Sequence, residues 1–233
     1  MARIKLYHGS ENTIKTPQYH FGNPKNDYGY GFYCTENLEL AKEWGCTEEN
    51  DGFANEYEFN LEELQILNLS DKNFNILNWL AVLLENRNFE LSTEVAEVAK
   101  NYILNNFYVP YKDYDVIRGY RADDSYFSFA KAFLNNSIPL HKLNEAMYLG
   151  KIGEQIVLKS QKAFSAIKFI SSSIAESKIY FPKKIQRDSQ ARMAFDKIKS
   201  ESKIFSEDAI FVMDIIRGGM KNGDARIPEI LFR

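Results

Sequence analysis

GYGFYCTENLELAKEWG, residues 29–45, carries the chain from a glycine-punctuated loop through a short strand into a helix. Gly29 and Gly31 let the backbone turn sharply into a strand over 31–35. ENLELAKEWG at 36–45 then reads as a helix, with Leu38, Ala41 and Trp44 at a spacing of three and Gly45 as its C-terminal stop. Tyr33 on the strand and Trp44 on the helix lie eleven residues apart. Two flat rings held that way can face each other across a slot one ring thick, or they can serve as core.

Working outward, residues 3–7 (RIKLY) alternate polar and apolar, as a half-buried strand does, and end on His8, Gly9 and Ser10. A loop rich in Pro, Gly, Asn and Asp follows at 17–31. EYEFNL at 56–61 and LQILNL at 64–69 are strand-like, and the period then lengthens into two helices within 73–106. YDVI at 114–117 returns to strand. Asp123, Asp124 and Ser125 are natural caps for a helix over 126–135, and another helix is expected over 139–149. Strands are expected at 154–160 and 166–171. From Glu176 onward the pattern is helical, basic and amphipathic over 183–200, with a further helix over 207–220. Pro182 marks a boundary between a mixed α/β body, residues 1–175, and a helical extension, 176–233, packed on it.

The totals bound the function. The 233 residues are 45% hydrophobic and 26% charged, with a net charge of −3, which allows a large core and argues against wholesale wrapping of nucleic acid. Two cysteines are too few for a disulfide framework or a Cys-based zinc site, and three scattered histidines offer no metal-ligand spacing. MARIKLYHGS lacks the apolar stretch of a signal peptide, and no run of about 18 apolar residues occurs, so a soluble cytoplasmic protein without a membrane partner is expected. With 14 Tyr and 17 Phe there is ample material for aromatic ligand-stacking surfaces.

His8-Gly9-Ser10 after a first strand, then Gly31-Phe32-Tyr33 and a helix bearing an aromatic, resembles the ADP-ribosyltransferases of the diphtheria-toxin and poly(ADP-ribose) polymerase class, described by a His, Tyr, Glu triad. Trp44 departs from that class, which usually carries a second tyrosine, and Ala41 sits where the polymerases carry a serine. Five ordered blocks resemble, more narrowly, a bacterial family known as domain of unknown function 3990, itself grouped with that fold. They are LYHGS, GYGFYCT with AKEWG, YDVIRGYRADDSYFSFAKAFLN at 114–135, LGKIGEQIVLKSQKAF at 149–164, and RDSQAR at 187–192. The resemblance implies an α+β fold, a split and mainly antiparallel β-sandwich around an NAD cleft, with helical insertions and a helical tail.

It also implies roles. His8 would hydrogen-bond the adenosine-side ribose of NAD. The Gly9 backbone would hold the nicotinamide carboxamide, glycine being needed because a side chain would block the approach. Tyr33 and Trp44 would sandwich the nicotinamide, and Ser10 would add a hydroxyl contact or simply end the strand. Cleaving the nicotinamide–ribose bond passes through an oxocarbenium-like transition state that a carboxylate stabilises. The strand expected to carry the triad glutamate offers Glu154 and Gln155 side by side, and neighbours on a strand point to opposite faces. Gln155 matches the triad position, with Glu154 the alternative; a glutamine supplies neither charge nor a general base, which leaves single transfer as the ceiling. In RGYRADDSYF, Arg118 or Arg121 would meet the pyrophosphate or the target and Asp123 would serve the acceptor; otherwise these are a strand end, a salt bridge and a helix cap.

The tail from Lys183 to Lys203 presents a basic face to RNA or an acidic partner, or is a solvated helix face; Met193, Phe195 and Ile198 need something to pack on. Taken together, the expectation is a mono-ADP-ribosyltransferase using NAD, without metal, on a protein or nucleic-acid acceptor, as a bacterial toxin or defence effector with a small antitoxin partner. An NAD glycohydrolase and a non-catalytic NAD-binding module are the alternatives.

Overall fold

The computed structural model describes residues 3–122, 124–146, 153–200 and 209–227. It is mixed α/β, built on two sheets. The first is antiparallel, in the order β1 (Arg3–Ser10), β3 (Gly52–Asn60), β7 (Ile167–Ala175). The second runs β2 (Phe32–Cys34), β6 (Glu154–Leu158), β5 (Val116–Tyr120), β4 (Ile66–Asn68). Its β4–β5 pair is parallel, so this sheet is mixed. An isolated bridge between Tyr7 and Thr35 joins β1 to the chain just after β2.

Alternation along the strands separates two cores. Leu6, Phe32, Cys34, Tyr57, Phe59, Val116, Ile156 and Leu158 fill the space between the sheets. Ile117 and Val157, one residue along from their neighbours, point the other way into a larger core. That core is supplied by α2 (Ile76–Asn86), α3 (Glu94–Asn106), α4 (Asp124–Leu134) and α5 (Leu140–Ala146). The first two fall in the segment where the sequence period lengthens. α2 is almost wholly apolar and buried, and Asn75 and Asn78 form a reciprocal capping box at its start. The proposed capping residue Asp123 lies outside the described residues, as do residues 147–149 of the helix expected over 139–149.

α1 (Leu38–Gly45) begins where Asn37 accepts from the Glu39 and Leu40 amides at 2.9 and 3.2 Å, and it packs on β1 and β3. After α6 (Gln161–Ser165) and β7 comes α7 (Ser177–Ser200). Pro182 lies inside α7 rather than at a boundary: it falls early in the helix, where the turn from Ser177 is already formed. Phe195 of α7 meets Phe129 of α4 with ring centroids 3.9 Å apart. Val212 and Ile215 of α8 (Val212–Arg217) are buried in the same core, while Met193 is exposed. Among the described residues no helix is long and apolar enough to cross a membrane.

Candidate functional site

A cleft of about 820 Å³ is lined by residues of both sheets, among them His8 and Gly9 of β1, Phe32 and Tyr33 of β2, and Gln155 of β6. His8 links the two sheets: its Nδ1 lies 2.7 Å from the Tyr33 carbonyl oxygen. A carbonyl only accepts, so Nδ1 carries the proton and Nε2 is left as an acceptor. Burial holds the imidazole pKa below its ordinary value, against the opposing pull of the Tyr33 carbonyl. The ring also stacks on Phe32, centroids 4.3 Å apart. His8 is therefore a neutral, oriented acceptor.

Gly9 lines the cleft through its backbone. The expected reason for its glycine needs correcting, however. A Cβ there would overlap the Ala41 carbonyl oxygen and lie 2.7 Å from the Gly45 nitrogen, so the missing side chain makes room for α1 rather than for a ligand. Ser10 is not in the cleft; its hydroxyl donates to the Asn12 carbonyl at 2.7 Å and accepts from Asn55 at 2.9 Å, closing off the end of β1.

Tyr33 lies on the cleft wall with its hydroxyl committed, donating to the Gly29 carbonyl at 2.6 Å and accepting from the Tyr28 amide at 3.1 Å. Burial pushes its pKa far above the ordinary value, so the ring is a neutral surface and not a base. Trp44 also lines the cleft, and the Arg121 guanidinium sits over its ring, 4.1 Å from the centroid.

Register places the two β6 candidates on opposite faces. β5 and β6 pair residue for residue from Val116–Leu158 to Tyr120–Glu154, with no bulge, so Glu154 and Gln155 face opposite ways. Gln155 is buried in the cleft wall. Glu154 is outside it, bonded to Arg118 Nε at 2.6 Å and to the Ser70 hydroxyl, while Arg118 also reaches Glu36 at 3.0 Å. Arg118 thus belongs to this half-exposed network and Arg121 to the cleft. Asp123 lies outside the described residues.

Asp27, Arg87 and Lys184 are among the cleft groups that the sequence reading did not place there. Asp27 is 5% exposed; its Oδ2 accepts from Gln155 Nε2 at 2.8 Å and from the Ala122 amide at 2.9 Å. Its Oδ1 is 3.6 Å from Arg87 Nε. Burial raises its pKa, against the Ala122 amide, Arg87, the Gln155 amide and Arg121, all of which favour the charged form. Arg87 follows α2 and lies against the Phe127 ring, 4.5 Å from its centroid. Lys184 comes from α7. An acidic residue directly ahead of YGYGFYCT was a signal, but Asp in a Pro-, Gly- and Asn-rich loop ordinarily reads as turn chemistry.

Asp27 is held by its neighbour. Tyr28 is buried, donates to the Tyr120 carbonyl at 2.7 Å and accepts from Trp79 Nε1 at 3.1 Å. Gly119 makes room for it, since a Cβ there would overlap the Tyr28 hydroxyl. Lys159 donates to the Tyr28 and Tyr30 carbonyls from the far side.

The family model described as Protein of unknown function (DUF3990) matches residues 4–169. The chain belongs to this family. The DUF3990 span runs from β1 into β7 and contains every cleft residue named here except Lys184. No curated protein and no solved structure matches the chain.

The basic tail is partly spent within the protein. Arg187, from the RDSQAR block, makes a two-point pair with buried Glu43 of α1 at 2.8 and 3.0 Å. Lys183 pairs with Glu39, and Arg192 with Asp188.

Proposed function

We propose that this DUF3990 protein is an NAD-consuming mono-ADP-ribosyltransferase with an ADP-ribosyltransferase-like fold. The observation that carries the reading is the convergence of His8, Tyr33 and Gln155, from three distant segments, on one cleft wall. The volume suits a small-molecule site, which typically holds roughly 300–1,000 Å³. Trp44 already holds a flat cation, the Arg121 guanidinium, and the nicotinamide ring of NAD is another. Arg87, Arg121 and Lys184 line the same cleft and offer positive charge to a pyrophosphate.

On this reading His8 Nε2 accepts from a ribose hydroxyl while its Nδ1–H stays on Tyr33. The Gly9 backbone holds the carboxamide, Tyr33 supports the nicotinamide face, and binding moves Arg121 off the indole. The acceptor is a protein or nucleic acid. The wider role, a cytoplasmic toxin or defence effector restrained by a small antitoxin, rests on the family resemblance and on no feature of the cleft.

The test incubates adenylate-labelled NAD with the purified protein and cell lysate, then with its protein and nucleic-acid fractions separately. Label is expected on one fraction and lost in Tyr33→Ala and Gln155→Ala variants that melt normally. Free ADP-ribose without labelled macromolecule assigns a glycohydrolase instead. NAD that binds but stays intact in every fraction leaves a binding module.

A further inference from the structure

We infer that Asp27, delivered by the 17–31 loop, is the catalytic carboxylate of this cleft, taking over the charge that Gln155 lacks. The inference rests on the NAD-cleaving reading and names the group that reading leaves without a donor. In that reaction the bond from the ribose C1′ to nicotinamide breaks, and its electron pair passes to the nicotinamide nitrogen, which leaves neutral. Positive charge spreads over C1′ and the ring oxygen until a lone pair on the acceptor closes a new bond to C1′ and the acceptor's proton passes to water. A fixed negative charge beside C1′ lowers the barrier because it meets charge that develops only in the transition state.

Four observations converge on Asp27. It lines the cleft in contact with Gln155, at the strand position where the triad carboxylate is expected. Glu154, the acid adjacent in sequence, faces away and is already paired with Arg118. The Arg87 cation nearest Asp27 stands 3.6 Å off, so the carboxylate is steadied without a close two-point pair of the kind that joins Glu43 to Arg187. Finally, the loop is pinned on both sides of the residue's neighbour: Tyr28 reaches Trp79 and Tyr120 in the core, and Lys159 holds the backbone. A turn aspartate in an exposed loop needs none of this.

The test measures nicotinamide release and NAD affinity for the full chain and for Asp27→Asn, Gln155→Glu and the double variant, with melting temperatures alongside. Asp27→Asn is expected to lower kcat by roughly 100-fold or more while NAD affinity and melting change little, a split that a merely structural residue does not produce. Gln155→Glu alone is expected to bring no gain, because two adjacent carboxylates cannot both stay ionised. In the Asp27→Asn background the same change is expected to restore part of the lost rate. An Asp27→Asn protein with wild-type kcat overturns the inference, as does a roughly tenfold gain from Gln155→Glu alone, which locates the deficit on the strand. If the wild-type protein leaves NAD intact, the transferase reading falls and Asp27's role falls with it; if it turns NAD over and Asp27→Asn keeps pace, only the Asp27 assignment falls.

Discussion

Glu154 and Gln155 are neighbours on β6, and the two sides of that strand handle acid in opposite ways. On Glu154's side the carboxylate meets Arg118 and Ser70, Glu36 joins through the same arginine, and Glu154 and Arg118 are 29% and 38% exposed. On Gln155's side the carboxylate comes from another segment altogether, Asp27, which is almost fully buried and bonded to an amide side chain and a backbone N–H. The acid that stands in the expected strand is thus satisfied at the surface. The acid that reaches the cleft is carried by a loop.

The comparison breaks first on stability. Asp27→Ala leaves the Ala122 amide and the Gln155 side chain without their acceptor in a buried site, at a cost of about 2–4 kcal/mol. Glu154→Ala removes a half-exposed pair worth about 0–1 kcal/mol. Urea unfolding of both variants near neutral pH checks this, and equal costs would mean that the two sides are not different in kind.

Next comes Gly119→Ala. The added methyl group collides with the Tyr28 hydroxyl and must displace the residue that anchors Asp27. A loss of about 1–3 kcal/mol is expected from overpacking, together with a fall in nicotinamide release. Retained activity at reduced stability would separate the loop's anchoring from the chemistry. Glu154→Gln is the smaller change: turnover is expected to stay within about fivefold of wild type, in keeping with an exposed pair outside the cleft.

These contrasts mark what the sequence made legible. Regular elements announced themselves by period: the first strand from its alternation over 3–7, the β2–α1 turn, the paired helices over 73–106 and the split faces of Glu154 and Gln155 all follow from local patterning. The cleft residues borne on those elements, His8, Tyr33, Trp44 and Gln155, were singled out by the resemblance to the ADP-ribosyltransferases and not by the pattern, which reads equally well as core. Asp27, Arg87 and Lys184 were not legible, because their place depends on contacts far along the chain. Asp27 reaches Gln155 only because Tyr28 finds a space opened by Gly119, and no local pattern around NPKNDYG records that space. Gly9 was legible as a constraint but not as to its cause, since the Ala41 carbonyl that forbids a side chain belongs to a helix more than thirty residues on.

The smallest effect is one of pH, and it sharpens the comparison because burial drives it. Burial lowers the His8 pKa from 6.5, so the folded protein takes up that proton less readily than the unfolded chain. Its contribution to stability is therefore complete above 6.5 and lost as the pH falls through 6.5 toward the folded value. Asp27 runs the other way. Burial raises its pKa from 3.8, so its contribution is full below 3.8 and lost as the pH rises through the raised value. His141, also lowered by burial, shares the sign of His8. Melting temperatures from about pH 7 to about pH 5.5 should then decline for wild type and decline less for His8→Asn, which keeps a donor toward the Tyr33 carbonyl but has no proton to gain. His141 contributes to the remaining slope with the same sign, and Asp27 opposes it. An undiminished slope in His8→Asn would mean that the imidazole is solvated enough to titrate freely, and the neutral acceptor assigned to its Nε2 would go with it.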